Sequence, residues 1–194
     1  MSSYNHKIAA LLSTKTIRNI LFSASVAALS IGCSGAYSKS SSQQTDTLTD
    51  ANIAAIVVGA NKIDISAGEI ALERSNNIAV KEFAERMIAD HTAVLNSAVE
   101  LVTRLGVTPV NNDLVAALSE QSRDHEAKLR TLSGKAFDKS YIDHEVAYHE
   151  AVIGVIENQL IPAAQNEELK ATLVSVLPAF KAHLMHCKMI QSEI

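Results

Sequence analysis

Residues 80–105 read VKEFAERMIADHTAVLNSAVELVTRL, and their spacing decides the fold. Val80, Phe83, Met87, His91, Val94, Ala98, Leu101 and Leu105 recur every three to four positions, the period of one helix face. Asn77 is placed to cap this helix, and Gly106 with Pro109 ends it. The same period extends on both sides. Upstream, Thr49 or Asp50 caps a helix that runs to about Ser75 with a stripe of Ile53, Val57, Ala60, Asp64, Ala67 and Ala71; Asn76-Asn77 breaks it. Downstream lies a shorter amphipathic piece over about 113–132, with Leu114, Leu118, His125 and Leu129. Ser133-Gly134 then precedes a stripe of Tyr141, Glu145, His149, Val152 and Ile156. After Pro162 and Asn166, a final helix uses Leu169, Leu173, Val176, Phe180, His183, Cys187 and Ile190. Pro178 lies inside it and predicts a kink or restart. Four long helices, each with one apolar face, fit an antiparallel four-helix bundle over residues 50–194, with the short piece providing the crossover.

Each long stripe carries an ionisable residue where hydrocarbon is expected: Asp64, His91, His149 and His183. Buried charge is costly unless something pairs with it. The four therefore suggest one shared polar centre, either a hydrogen-bonded network or a metal site. Glu145, one turn before His149, is a further partner, and Tyr141 and Tyr148 supply hydroxyls. Three imidazoles and one carboxylate suit zinc, copper or iron in the ferrous state. His183 and Cys187 lie one turn apart and form a second possible ligand pair; the plainer reading makes Cys187 a small core hydrophobe and leaves His186 in solvent. Asp124-His125-Glu126 reads as a solvated helix face. Gly-rich phosphate loops and nucleophile-elbow patterns are missing from the sequence.

The N-terminus reads differently. Lys7, Lys15 and Arg18 precede an apolar run from about Ile20 to Ile31, and no acidic residue comes before Asp46. That is the layout of a secretory signal over residues 1–36, with an apolar core shorter than the roughly 20 residues that span a bilayer. Two cleavage readings compete: ordinary cleavage at Ser34-Gly35-Ala36, or a bacterial lipoprotein signal in Leu29-Ser30-Ile31-Gly32-Cys33 with Cys33 lipidated. Residues 37–49, rich in Ser and Gln, read as a flexible tether. Without the leader, 14 basic residues face 21 acidic ones, a net charge of −7. Such a surface argues against nucleic acid, and leaves a lipid anchor as the route to a membrane. With Cys33 lipidated or removed, Cys187 has no cysteine to pair with, so packing alone must hold the fold.

Five patches resemble the bacterial domain-of-unknown-function family 4142, whose members are labelled outer-membrane proteins and placed among ferritin-like folds. They are Asp64-Ile65-Ser66-Ala67-Gly68; Val80 to Met87 leading into Asp90-His91; Gly134-Lys135-Ala136-Phe137-Asp138-Lys139-Ser140-Tyr141; His149; and Leu177-Pro178 with His183-Leu184. Where the family usually has Glu, this chain has Asp64, a shorter arm. The resemblance implies a secreted or envelope-attached ferritin-like bundle and no established reaction. Ferritin-like di-iron sites take Glu-x-x-His from two of their helices; here Ile88, Val146 and Phe180 stand three residues before the three histidines, which removes that pattern. The sequence thus reads as an exported protein of the periplasm or outer membrane, non-catalytic and structural, interacting or stress-related. The alternative is a periplasmic metal-binding protein using Asp64, His91, His149 and His183.

Overall fold

The computed structural model describes residues 48–194, and every regular element among them is helical. The signal, Cys33 and all but the last two residues of the tether lie outside the described residues. Five helices follow in order: α1 (Asp50–Arg74), α2 (Ile78–Arg104), α3 (Asp113–Thr131), α4 (Gly134–Val155) and α5 (Glu167–Glu193). Between α4 and α5 the chain continues through a π-helical segment, Ile156–Leu160, and one further turn, Ile161–Ala163. Among the described residues no helix is long and apolar enough to cross a membrane.

Polar caps fix the helix starts. The Thr49 side chain accepts from the Asn52 amide while Asn52 reaches back to Thr49, a reciprocal pair that satisfies two orphan donors. Asn77 caps α2, Asn112 caps α3 and Asn166 caps α5. Asp50 has a longer reach: its carboxylate accepts from the backbone amides of Gln165 and Asn166 at 2.9 and 3.0 Å, tying the α4–α5 joint to the start of α1. Pro178 does not end α5, which runs through it without a restart. The carbonyl that loses its partner is that of Val174, and this residue is exposed, so water can take the lost bond's place. The π-helical segment was not foreshadowed by the spacing, because Ile156 and Leu160 also satisfy an ordinary helical stripe.

The helices pack as two hairpins, α1 against α2 and α4 against α5, with α2 also meeting α5, α1 meeting α4, and α3 lying against α1. Helix α1 buries far more than its expected stripe: Ala54, Ala55, Ile56, Asn61, Gly68 and Ile70 are covered as well. It lies between α2, α3 and α4, and its small residues admit all three. Two apolar clusters result. One surrounds Phe83, Met87, Leu129, Phe137, Tyr141 and Ile190; the other surrounds Ile53, Leu101, Ile153, Leu169, Leu173 and Phe180. On each of α1, α2, α4 and α5 the ionisable stripe residue falls between them.

Gly68 marks a close approach of α1 and α2. A Cβ there would meet Ile88 Cγ1 at 2.9 Å and the Ala84 carbonyl oxygen at 3.3 Å, whereas one on Gly154 would meet nothing within 4 Å. The same substitution should therefore act in opposite directions. Gly154→Ala should raise unfolding stability by about 0.5–1 kcal/mol through helix propensity. Gly68→Ala should lower it, because overpacking of about 1–3 kcal/mol exceeds that gain. Denaturant midpoints of the two variants decide the matter; equal and positive shifts would show that α1 and α2 are not in close contact here.

Candidate metal centre

Asp64 on α1 sits at the middle of the structure, 1 % exposed, and the three expected histidines surround it at 1–3 % exposure. Its Oδ2 lies 3.2 Å from His91 Nε2 and 3.7 Å from His149 Nε2. The ring of His183 stands 5.5 Å from each of the other two imidazoles, centroid to centroid. The structure thus brings together all four residues singled out from the stripes, with one ring nitrogen each of His91, His149 and His183 within 4.8 Å of one another. Asp64, Glu145 and His149 form a second group of the same tightness, sharing His149 with the first.

Outward hydrogen bonds determine what the inward atoms are. His91 Nδ1 lies 2.9 Å from Asn61 Oδ1, and the Asn61 amide nitrogen donates to the Val57 carbonyl at 2.8 Å. With its nitrogen so engaged, Asn61 presents an oxygen to His91, which must donate from Nδ1. His149 Nδ1 lies 3.0 Å from the backbone oxygen of Glu145, one turn earlier, and that oxygen can only accept. His183 Nε2 meets the Asp90 carboxylate at 2.9 Å. In neutral rings these partners leave lone pairs at His91 Nε2, His149 Nε2 and His183 Nδ1. All three atoms are buried and, among the described residues, none has a hydrogen-bond partner; nor does either oxygen of Asp64. With Asp64 ionised, its contacts with His91 and His149 therefore bring acceptor toward acceptor, not donor toward acceptor.

The electrostatics agree. Burial, followed by the neighbouring His183, holds His91 down to about 3, with Asp90 opposing. Burial holds His149 down to about 4 against the pull of Asp64. Both rings are neutral at pH 7, the form that binds metals. Burial raises Asp64, although His149 and His183 counter it, and Glu145 is raised well above its usual range by burial and then by Asp64. A cation would relieve this crowding of two dry carboxyls.

Other expected residues find different places. Tyr148 leaves the network and donates to the Ala60 carbonyl at 2.8 Å. The Tyr141 hydroxyl is buried at the centre without a hydrogen-bond partner among the described residues. The Cys187 thiol is buried, donates to the Leu184 carbonyl at 3.2 Å and is pushed up to about 12 by burial, so it behaves as a core group. His186 is not simply in solvent: it is half-buried, with its ring edge-on to Phe83 at 5.4 Å. The solvated-face reading of Asp124-His125-Glu126 fails at His125, which is buried and stacks on His144 at 3.7 Å between centroids. Asn61 and His144 escaped the sequence reading. Spacing held a signal for both, since Asn61 follows Val57 by four and His144 precedes Tyr148 by four, but each lies off the single stripe assumed for its helix.

The fold and centre define an all-helical protein with a buried imidazole–carboxylate cluster held by four helices. The chain belongs to the family described as Domain of unknown function (DUF4142), whose model matches residues 36–190. Among solved structures, a DUF305 fragment from Deinococcus radiodurans is similar with a TM-score of 0.64 at 12 % identity, over 74 % of this chain and 95 % of that one. At that identity the likeness concerns the fold alone. No curated protein matches the chain.

The buried imidazoles make stability depend on pH with a definite sign. His91, His125, His144 and His149 all titrate below 6.5 in the folded protein, so the unfolded chain binds more protons as pH falls below that value. Asp64 and Glu145, raised by burial, act in the opposite sense but are two against four. Metal-free protein should therefore lose stability as pH drops from about 6.5 toward 4, by up to ~1.4 kcal/mol per pH unit for each net proton. Urea midpoints across that range measure it; a flat or rising profile would contradict the neutral, buried imidazoles.

Proposed function

We propose that this protein is an exported, non-catalytic metal-binding protein of the bacterial envelope, built as a ferritin-like antiparallel four-helix bundle with α3 as an extra helix in the crossover. The pairing of α1 with α2 and α4 with α5, and the likeness in fold to the DUF305 fragment, support the bundle. The basic, then apolar, N-terminal sequence and the acidic remainder support export, with Cys33 as the point of lipidation in the anchored form.

One observation carries the metal reading: outward hydrogen bonds orient the buried imidazoles so that the bare Nε2 atoms of His91 and His149 face Asp64, whose carboxylate accepts no hydrogen bond among the described residues, and one nitrogen of each of His91, His149 and His183 lies within 4.8 Å of the others. Metal-ligating histidines characteristically donate their other N–H to a carboxylate or backbone carbonyl, which orients the ring. Here Asp90 and the Glu145 carbonyl do this, and Asn61 does it with an amide oxygen. His91, His149 and His183 would hold the ion with Asp64 as the anionic ligand. Nitrogens within 4.8 Å of one another need to move by less than about 1 Å to reach bonds of ~2.0–2.1 Å. Three nitrogens and one oxygen suit zinc, copper or ferrous iron; a bound ion would offset the Asp64 charge in this dry site.

Elemental analysis of the mature protein tests this. The expected result is about one equivalent of zinc, copper or iron per chain, lost in His149→Ala. Asn61→Ala should keep the fold and weaken binding by about 10–100-fold, since it removes only the partner that orients His91. Less than about a tenth of an equivalent after reloading, with His149→Ala merely less stable, would make the cluster a structural network and the protein a structural or interaction module of the envelope.

A further inference from the structure

Between the polar centre and the end of the molecule where α1 begins, the helices enclose a cavity of about 40 Å³. All five contribute hydrocarbon to its wall, among them Ala60, Ala98, Leu118, Val152 and Leu173. Among the described residues only two polar side chains reach it, and both are already engaged. The Asn61 amide gives its hydrogen to Val57 and its oxygen to His91, and the Thr172 hydroxyl donates to the Glu168 carbonyl at 2.8 Å. A buried water needs two to four partners, and this wall offers it almost none.

Two further features give the cavity a direction. Phe180 belongs both to its wall and to the polar centre, with its ring centroid 4.9 Å from that of His91 and 6.2 Å from that of His149. Ile156 and Leu160, the first and last residues of the π-helical segment, also line it. Such a segment widens the helix by one residue per turn and recurs at functional sites. On the outer side the lining residues Val57, Val94 and Val176 are only half-buried, as is Thr172.

We propose that this cavity binds a small, uncharged, apolar molecule of diatomic size, such as dioxygen, and holds it one aromatic ring away from the imidazole centre. Size and polarity set the class. Apolar cavities of roughly 150 Å³ take benzene or xenon without admitting water; at about 40 Å³ an aromatic ring is excluded. A charged or hydrogen-bonding ligand would find no partner on this wall. The site exists whether or not the centre holds a metal.

Xenon is the probe, used on the metal-free mature protein with its methyl groups observed by NMR, so that failure here is independent of failure to bind metal. Saturable shifts should be confined to the methyls of Val57, Val152, Leu173 and Val176, with Val80 and Leu129 in the far cluster unmoved. Ala98→Leu should fill the space and abolish those shifts in a chain still folded by circular dichroism. Val94→Phe, at a half-buried position, does the same should Ala98→Leu fail to fold. Absence of saturable shifts at these methyls, equal shifts in the far cluster, or shifts retained in a folded filled variant would each overturn the proposal.

Discussion

Burying a carboxylate and three imidazoles at one level of a helical protein is the constraint on which the rest of this structure depends. Asp64, His91, His149 and His183 come from four different helices, so none can be satisfied by its own helix alone, His149 excepted through the carbonyl one turn back. The protein meets the cost by pairing the outward side of each ring and leaving the inward side bare. Asn61, the Glu145 carbonyl and Asp90 supply those outward partners. A core designed only for stability would turn at least one ring so that its N–H met Asp64. Here His91 and His149 present bare Nε2 atoms to Asp64 instead, which is costly beside an ionised carboxylate without a cation and favourable with one.

The helical packing serves that arrangement. The apolar clusters on either side fix the heights of α1, α2, α4 and α5, and hence the level at which the four residues meet. Gly68 brings α2 close to α1, while Asp50 ties the α4–α5 joint to the start of α1. On one side the aromatic cluster around Phe83, Phe137 and Tyr141 seals the centre. On the other, Phe180 stands between the imidazoles and the apolar cavity.

Much of this was legible in the sequence because helical period and cost of burial are local properties. The α2 stripe from Val80 to Leu105 marked its helix within two residues at either end, and His91 stood out as the one ionisable group on it. What stayed hidden depends on tertiary contact. Helix α1 is covered from three sides, so a single-stripe reading passed over Asn61, the residue that sets the His91 tautomer. His125 sits between exposed Asp124 and half-buried Glu126, and only the docking of α3 turns it onto His144. The choice of which nitrogen of each ring points inward belongs to side-chain geometry alone.

That choice is also the most direct test of the account. Long-range proton–nitrogen correlation NMR of histidine-labelled, metal-free protein near neutral pH distinguishes the two neutral tautomers and the imidazolium. The structure predicts neutral His91 and His149, protonated at Nδ1 and bare at Nε2, with the His183 proton on Nε2 toward Asp90. Imidazolium signals from His91 and His149, or a proton on either Nε2 directed at Asp64, would contradict it and leave an ordinary hydrogen-bonded cluster in its place.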